Sequence, residues 1–551
     1  MGRYTREELR GQTLHWLVSV TVRGRTWRFS QDDLSIADGS DELHFTGSLG
    51  EIDYYEAITE PGGAAESNSV SVDLVFAGED ADGWASLVRA SRGIGGATAE
   101  LALIRDGDAF SVREVRLDGR VDGLSYGAFS EPVAFTIEES PWEVQSPPFP
   151  PPTAAVTAST WPRVANSGTH QIGDGVEGMV YPFIFGAPGR APGSRLFGGS
   201  PGLLVEIETA NLDNSVSDAY VLVAGHRCKG DGVAAAVKLF NRTQGGGNTF
   251  QPSAVTDLLG NEVTIITVPG GSLAIDDGDE LWCAWPLPAS GGLIGPEGTT
   301  LRRADDVIAY LLGQSAVRHL GGAFAQIDRR LGYVLDFVHN DPGADPLDVM
   351  REILAYLPAA YRIGPEGLEV VRWPYDATHK DALTILNPDI QEIERASGPQ
   401  LSPVAEVENV IEGRFSLNLR AGKLIGRTVY APSRRSGDTD VQVNPWAAAS
   451  ASVYGERAGG ALEMRHVADP SVAAALLDFG IQHSSQQREY VVYTAPQEYQ
   501  ALRPGSVLTV TDDDILWTKR LCVLLATRRG PGPTELSLVT LPSWLRDATA
   551  G

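Results

Sequence analysis

The chain has 551 residues, of which 42% are hydrophobic and 61 are glycine, and this composition is typical of a folded, turn-rich protein rather than a disordered or fibrous one. Its 71 acidic and 44 basic residues give a formal charge of −27, which repels phosphate backbones unless a basic patch overrides the field. The longest basic clusters are isolated pairs, such as Arg434-Arg435 and Arg528-Arg529, so the composition disfavours a nucleic-acid-binding protein. At roughly 150 residues per domain, we expect about three to four domains.

The cysteines and the N-terminus exclude further classes. Cys228, Cys283 and Cys522 lie far apart without CxxC spacing, so we expect buried apolar side chains rather than a disulfide framework or a zinc site. The first residues, MGRYTREELRGQTLHWLVSV, are charged where a secretory signal is apolar, and no segment approaches the roughly 18 apolar residues that span a bilayer. We therefore expect synthesis in the cytoplasm, with neither a signal peptide nor a transmembrane segment.

Residues 1–145 are dominated by strand patterns and are predicted to form an N-terminal β domain. In VSVDLVF the apolar side chains alternate and so share one face of a strand: Val70, Val72, Leu74 and Phe76. LALIRDGDAFSV places Asp106-Gly107 at a hairpin turn, and VAFTIEE alternates at Val133, Phe135 and Ile137. Residues 81–91 are the exception and are predicted to form a short helix.

A proline-rich segment separates this domain from the next. SPPFPPPTA, residues 146–154, contains five prolines and predicts a stiff linker over residues 146–159, with a ligand for a proline-recognising module as the alternative. Residues 160–299 alternate short strands, such as GLLVEIETA and EVTIITVPGG, with turn clusters, which predicts an inserted small β sandwich or barrel.

Residues 300–400 change to an α+β pattern. ADDVIAYLLGQ carries apolar side chains at helical spacing, and in DPLDVMREILAYLP Asp345 can cap a helix whose first turn suits Pro346. AYRIGPEGLEVVRW then predicts a hairpin that turns at Gly364–Gly367.

Residues 401–545 are predicted to form a C-terminal β domain with one helix, DPSVAAALLDFGIQHSS, that starts at Asp469-Pro470. In RPGSVLTVTD, Pro504-Gly505 begins a strand, and TDDD reverses the chain into ILWTKRLCVLLATRR, which predicts a hairpin. In VYGERAG we expect Tyr454-Gly455 to end an irregular segment that crosses over before the next strand. The predicted fold class is therefore multi-domain and mainly β with α+β parts, with β-barrel or sandwich-like domains plus a small helix-containing domain.

No motif indicates catalysis, a cofactor or a metal, and we expect a non-enzymatic protein with no such site residues. The carboxylates of DDGDE at 276–280 and TDDD at 511–514 are interpreted as solvated turns, although calcium stays open. His226 and Cys228 lie two residues apart, which we interpret as a chance pairing rather than a catalytic dyad. A glycosidase needs only two carboxylates some 5–10 Å apart, so that class stays open as well.

From about residue 300 to 541, the order of segments resembles the tail hub, or tail-tip (baseplate hub), proteins of tailed bacteriophages and phage-tail-like particles. The matching segments are, in order, ADDVIAYLLGQS, DPLDVMREILAYLPAAYRIGPEGLEVVRW, VAEVENVIEGRFS, SASVYGERAGGALEM, DPSVAAALLDFG and YQALRPGSVLTVTD. The strands of residues 1–145 are similar to the first β domain of such hubs, whereas residues 160–299 depart from the pattern and look like an insertion.

This resemblance implies a structural protein at the virion tail tip of a siphophage-like particle. It implies a homotrimer whose two similar β domains per chain, residues 1–145 and 400–545, form a pseudo-sixfold ring against the hexameric tail tube and the distal tail protein. The ring would close the distal end of the tube and enclose a channel for the tape-measure protein and for DNA in passage, for which an acidic lumen would suit. Tail fibre or tip proteins would be anchored on it.

The alternative is a host-surface carbohydrate-binding or polysaccharide-degrading tail protein, in which the insertion binds a host-surface glycan. Trp161, Trp282 and Trp285 are the candidate stacking residues, although filling the core is the simpler interpretation. A hub whose insertion hangs outward to carry a fibre or touch the host combines the two hypotheses.

Overall fold

A computed structural model describes residues 5–22, 24–61, 68–75, 95–126, 133–139, 146–162, 170–189, 196–228, 236–285, 300–316, 333–364, 367–382, 384–388, 391–434 and 437–542. The predicted helix at 81–91 lies outside these residues. The described residues form a mainly β fold of several sheets with few helices, which confirms the predicted fold class. None of the helices in these ranges combines the length and apolar character needed to cross a membrane.

The helices are α1 (Arg6–Leu9), α2 (Ala304–Gln314), α3 (Pro346–Leu354), α4 (Pro445–Tyr454) and α5 (Pro470–Ser484). The strands before residue 146 are β1 (Leu14–Val22), β2 (Arg25–Ser30), β3 (Leu34–Asp38), β4 (Asp41–Gly47), β5 (Leu49–Ala57), β6 (Asn68–Leu74), β7 (Thr98–Arg105), β8 (Glu114–Tyr126) and β9 (Val133–Glu139).

The strands of the inserted region are β10 (His170–Gln171), β11 (Phe183–Phe185), β12 (Ser200–Glu208), β13 (Ala219–Ala224), β14 (Val237–Asn241), β15 (Gly247–Phe250), β16 (Pro252–Thr256), β17 (Glu262–Val268) and β18 (Leu281–Ala284). The later strands are β19 (Phe337–His339), β20 (Ala359–Gly364), β21 (Gly367–Arg372), β22 (Thr384–Leu386), β23 (Glu394–Leu401), β24 (Val410–Asn418), β25 (Lys423–Ala431), β26 (Val441–Val443), β27 (Ala458–Met464), β28 (Glu489–Ala495), β29 (Val507–Asp512), β30 (Trp517–Arg529) and β31 (Thr534–Thr540).

The N-terminal strands show the predicted alternation in the described residues, which do not include Phe76. Val70, Val72 and Leu74 of β6 are fully buried, and Phe135 and Ile137 of β9 pack in the same core. The hairpin β7–β8 also forms, but its connection is longer than a tight turn because a 3-10 turn at Phe110–Val112 follows Asp106-Gly107. The period-2 pattern therefore located the strands, and only the loop length differs.

The N-terminal and C-terminal strands repeat one topology. The first group runs β5-β6-β9-β8-β7 and the second runs β23-β28-β31-β30-β29, with every neighbouring pair antiparallel. The pair Thr98↔Arg120 corresponds to Val507↔Val523, and a register shift follows Leu101 in β7 as it follows Val510 in β29. We call the first group the N repeat and the second group the C repeat.

The buried positions of the two repeats coincide under this correspondence. The equivalent buried pairs are Ala99 and Leu508, Leu101 and Val510, Val70 and Val491, Val72 and Tyr493, Phe135 and Leu536, and Ile137 and Leu538. Two units with the same strand order, corresponding strand pairs and the same inward faces indicate an internal duplication of structure.

The two repeats are joined edge to edge in one sheet. β5 of the N repeat pairs antiparallel with the second half of β30, so the described strands of both repeats lie in a 15-stranded sheet. The predicted hairpin between β29 and β30 is part of this sheet, and its reversal contains a 3-10 turn at Asp513–Ile515.

Residues 402–488 interrupt the C repeat between β23 and β28. They form a four-stranded sheet, ordered β26-β25-β24-β27, on which α5 packs. Sequence analysis expected one helix between 401 and 545, but α4 is a second one. Asn444 caps it by accepting a hydrogen bond from the backbone N–H of Trp446, and Gly455, with φ of 74°, ends it.

The inserted region forms an eight-stranded antiparallel sheet, ordered β15-β14-β18-β12-β13-β17-β16 with β10 beside β12. Its core is continuous with α2, α3 and the four-stranded sheet, and β11 pairs with β19. The proline-rich segment is anchored to this core by the buried ring of Phe149, which stacks on His339 with ring centroids 5.5 Å apart. The insertion is therefore packed against its neighbours.

The helix predictions around this core are confirmed. Asp345 and Asp469 cap α3 and α5, each accepting a backbone hydrogen bond, from Leu347 and Ser471 respectively, at 2.8 Å. α2 buries the predicted apolar stripe, and β20 and β21 form the predicted hairpin with Gly364 opposite Gly367.

Candidate functional site: the seam between the two repeats

The seam is the place where β5 meets β30, and it fixes the N repeat against the C repeat. Ala526 pairs with Ala57 and Arg529 with Tyr54, and the ladder extends to a hydrogen bond of 2.9 Å from the Ile58 N–H to the Leu525 carbonyl. The strand pairing of the C repeat thus continues directly into the N repeat.

A buried ion pair crosses the seam. Glu56 of β5 accepts a hydrogen bond of 2.6 Å from Nη1 of Arg529, and both side chains are almost completely buried. Nη2 of Arg529 donates to the carbonyl of Leu502, which ties the loop before β29 to the same guanidinium. Because each charge has lost its hydration, either one left alone would be costly.

Charged side chains from other elements extend this pair into a network. Arg503 lies between Glu114 of β8, at 3.5 Å, and Glu369 of β21, at 3.8 Å. The remaining members are Arg116, which is 3.2 Å from Glu114, and Arg362, which is 2.7 Å from Glu369. Both repeats and the hairpin β20–β21 thus meet in one charged cluster, which we call the seam cluster.

Burial and charge act in opposite directions on the groups of the seam cluster. Burial raises the pKa of Glu56, but the guanidinium of Arg529 and three weaker positive neighbours hold that pKa below its ordinary value. Burial lowers the pKa of Arg116 to about 10 against the attraction of Glu114. Burial also raises the pKa of Tyr54, whose hydroxyl donates to the Arg116 carbonyl at 3.0 Å. These groups are therefore held in their physiological charge states and serve to orient the repeats.

The second ion pair of the seam is exposed. Asp53, also on β5, accepts hydrogen bonds of 2.6 Å and 2.5 Å from Arg528, whose side chain is 58% exposed. The basic pair Arg528-Arg529, which composition alone identified only as an isolated cluster, therefore supplies one exposed and one buried contact to the same strand.

The carboxylates predicted to lie in turns already accept hydrogen bonds from the protein. The interpretation of residues 511–514 as a solvated turn is wrong for Asp512, which is the last residue of β29 and is buried. Asp512 accepts hydrogen bonds from the Tyr493 hydroxyl at 2.8 Å and from Arg395 at 2.9 Å. In the 276–280 turn, Asp279 accepts from three donors and Glu280 pairs with Arg420 at 2.7 Å. Within the described ranges, no group of three or more His, Cys, Asp or Glu side chains is placed to hold a metal ion.

His226 and Cys228 are brought together, with Nδ1 and Sγ 3.8 Å apart, but the ring is not arranged as a base for the thiol. Nε2 accepts a hydrogen bond of 2.9 Å from the Ile184 N–H, so the proton lies on Nδ1, which donates to the Arg227 carbonyl at 3.0 Å. Burial lowers the pKa of His226 to about 4, which keeps the ring neutral. All three cysteines are buried thiols, as predicted.

The tryptophans proposed as sugar platforms mostly fill the core. Trp161 and Trp285 have no exposed surface, and Nε1 of Trp161 donates to the Tyr181 hydroxyl at 3.0 Å. Trp282 is half-buried and donates to Glu280 at 2.6 Å. Two of the three candidates therefore have no face available for stacking on a sugar.

Solved structures of phage tail and baseplate proteins are among those that this chain resembles. The 43 kDa tail protein of prophage MuSo2 from Shewanella oneidensis is 8% identical, with a TM-score of 0.38 over 97% of this chain and 99% of that chain. A chain of a native gene transfer agent virion is 14% identical, with a TM-score of 0.18 over 51% and 81%. A chain of the p2 virion baseplate in its activated conformation is 10% identical, with a TM-score of 0.17 over 66% and 98%. No protein-family model and no curated protein matches the chain.

Sequence reasoning missed the seam cluster, although one signal was available. In β5 the buried face carries Ile52, Tyr54 and then Glu56, so a carboxylate occupies an inward position of a period-2 strand. A charge at such a position requires a buried partner. That partner is 473 residues away in sequence, and no local pattern identifies it.

Proposed function

We propose that this chain is a structural hub protein at the tip or baseplate of a siphophage-like tail, without catalytic activity of its own. The observation that carries the proposal is the pair of equivalent β repeats locked side by side by the buried seam cluster. A chain with two equivalent units can occupy two neighbouring positions of a ring around a tail axis. The ordered segments that resemble tail hubs, from about residue 300 to 541, support the same assignment.

The ring is a homotrimer in this proposal. Three chains with two repeats each present six similar units, which match the symmetry of a hexameric tail tube and distal tail protein. The centre of the ring is the channel for the tape-measure protein and for DNA in passage. The seam supports this role because a ring that bears the tail tip needs a fixed angle between its units.

The inserted region, in this proposal, is a rigid body that anchors tip or fibre proteins. Its core is continuous with α2, α3 and the four-stranded sheet, and Arg420 of that sheet pairs with Glu280 of the insertion at 2.7 Å. The glycan-binding and polysaccharide-degrading alternative is less well supported because Trp161 and Trp285 are buried.

Immunogold electron microscopy of purified tails or tail-like particles, with antibodies to this chain, tests the proposal. We expect gold confined to the distal tip of the tail. Gold along fibres, or on no particle at all, would overturn the hub assignment.

A further inference from the structure

We propose that β23 of one copy of this chain adds to the exposed edge of β8 in the next copy, and that this contact repeats the seam between chains. The proposal deepens the ring described above and rests on it for the number of copies. It names the strands, the register and the partner, which is a second copy of this chain.

Among the residues that the structure describes, β23 and β8 are open where the seam strands are paired. β23 is the outer strand of the C repeat, bonds only to β28 among the described strands, and is exposed along nearly its whole length. In the described part of the chain, the pairing of β8 with β7 and with residues 96–97 stops at Val121, and the following Asp122, Gly123 and Ser125 are exposed. An unpaired strand edge is a template for another strand.

The internal duplication identifies these edges as partners. β23 occupies the place in the C repeat that β5 occupies in the N repeat, and β8 occupies the place of β30. Inside the chain, β30 pairs with β29 in its first half. Beyond Leu524, where that pairing has ended, the same edge of β30 pairs with the outer edge of β5. The described residues thus contain one example of the contact and one copy of each of its two edges to which no other described strand is paired.

Two glycines anchor the correspondence between β8 and β30. The Gly96 N–H donates to the Val121 carbonyl at 2.8 Å, and the Gly505 N–H donates to the Leu524 carbonyl at 2.7 Å. Both glycines have positive φ, 78° and 90°. Val121 is therefore the counterpart of Leu524, and the shared hairpin register is fixed by backbone geometry.

The correspondence gives the register of the contact between chains. The pair Ser125↔Ala134 is equivalent to Arg528↔Glu535, and Tyr55↔Ser69 is equivalent to Gln400↔Tyr490. Because Arg528 faces Tyr55 within the chain, Ser125 of one copy faces Gln400 of the next. Both residues are exposed in the single chain, so substitutions there leave its core unchanged.

A pair of cysteines tests this register in the full-length chain. Directly opposed residues of antiparallel strands have Cβ atoms about 4.5–5.5 Å apart, within reach of a disulfide after slight adjustment. The double variant Ser125→Cys/Gln400→Cys, oxidised and run on a non-reducing gel, should give covalent species that end at three chains. The native cysteines are buried and give a low background.

The single variants are the matched controls. The contact is head-to-tail, so neither Ser125→Cys nor Gln400→Cys can link to itself, whereas a mixture of the two single variants should give covalent dimers and nothing larger. Leu401→Lys, on the exposed end of β23, should prevent assembly, while Val216→Lys, at a more exposed apolar residue of the insertion, should not.

Three results would overturn the proposal. These are the absence of linked chains in the double variant, dimers from either single variant, and a ladder that continues beyond three chains. Disulfide-linked trimers together with no gold on tails would support this contact and contradict the hub assignment. Gold at the tail tip without linked chains would support the hub assignment and contradict this contact.

Discussion

At the residue scale, two carboxylates of strand β5 form ion pairs with β30, one buried and one exposed to solvent. Glu56 and Arg529 are buried, whereas Asp53 and Arg528 form an exposed pair with a similar distance. Solvent screens the exposed pair and hydrates either partner after the other is removed. The buried pair has no such replacement, so the seam should depend on one contact and hardly on the other.

We expect Glu56→Gln to weaken the seam by about 3–5 kcal/mol, because Arg529 keeps its charge in a buried site. Asp53→Asn, the matched control, should cost about 0–1 kcal/mol. Hydrogen exchange of the β5 and β30 amides measures the difference, and at about 1.4 kcal/mol per tenfold the first variant should exchange more than a hundredfold faster. Equal effects of the two substitutions would contradict the account.

Acid should weaken the seam through the same carboxylate. The pKa of Glu56 lies below its ordinary value near 4.5 in the folded chain, so its contribution is complete above that value and is lost as pH falls through the folded pKa. The difference in thermal unfolding midpoint between wild type and Glu56→Gln should therefore be constant from pH 7 to about pH 5 and shrink below it. A difference that grows on acidification would show that another group controls the seam.

At the element scale, the structure shows which patterns the sequence could reveal. Period-2 alternation located β6 and β9, and aspartate caps followed by proline located α3 and α5, because these signals lie within a few residues of one another. The helix α4 escaped because PWAAASASVY has no apolar stripe and its cap, Asn444, follows a strand. The pairing of β5 with β30 escaped because strand partners far apart in sequence leave no local trace.

Gly96 and Gly505 occupy equivalent positions, just before β7 in the N repeat and just before β29 in the C repeat. A side chain at positive φ costs about 1–2 kcal/mol, so Gly96→Ala and Gly505→Ala should both destabilise the chain. Gly505→Ala should cost more, since its Cβ would lie 3.0 Å from Cδ1 of Ile58, while nothing lies within 4 Å at Gly96. Calorimetric unfolding of the two variants measures this order, and a larger loss at Gly96 would contradict the packing described at the seam.

At the scale of the whole molecule, the described chain combines a duplicated β unit, a sheet that interrupts the second copy and an insertion that shares its core with the helices. Sequence reasoning reached the mainly β fold class from strand patterns and the hub hypothesis from the order of segments. Two similar β domains were implied only by the resemblance to tail hubs. The residue patterns alone did not show the duplication, because equivalent positions such as Leu101 and Val510 share burial and register but belong to unlike sequences.

We propose above that two β repeats per chain build six similar units around a tail axis. Cryo-electron microscopy of tails or tail-like particles that contain this chain would show these units. We expect three copies at the distal tip, closed into a ring in which the six units alternate between N and C repeats. A single copy, or copies placed away from the tail axis, would contradict it.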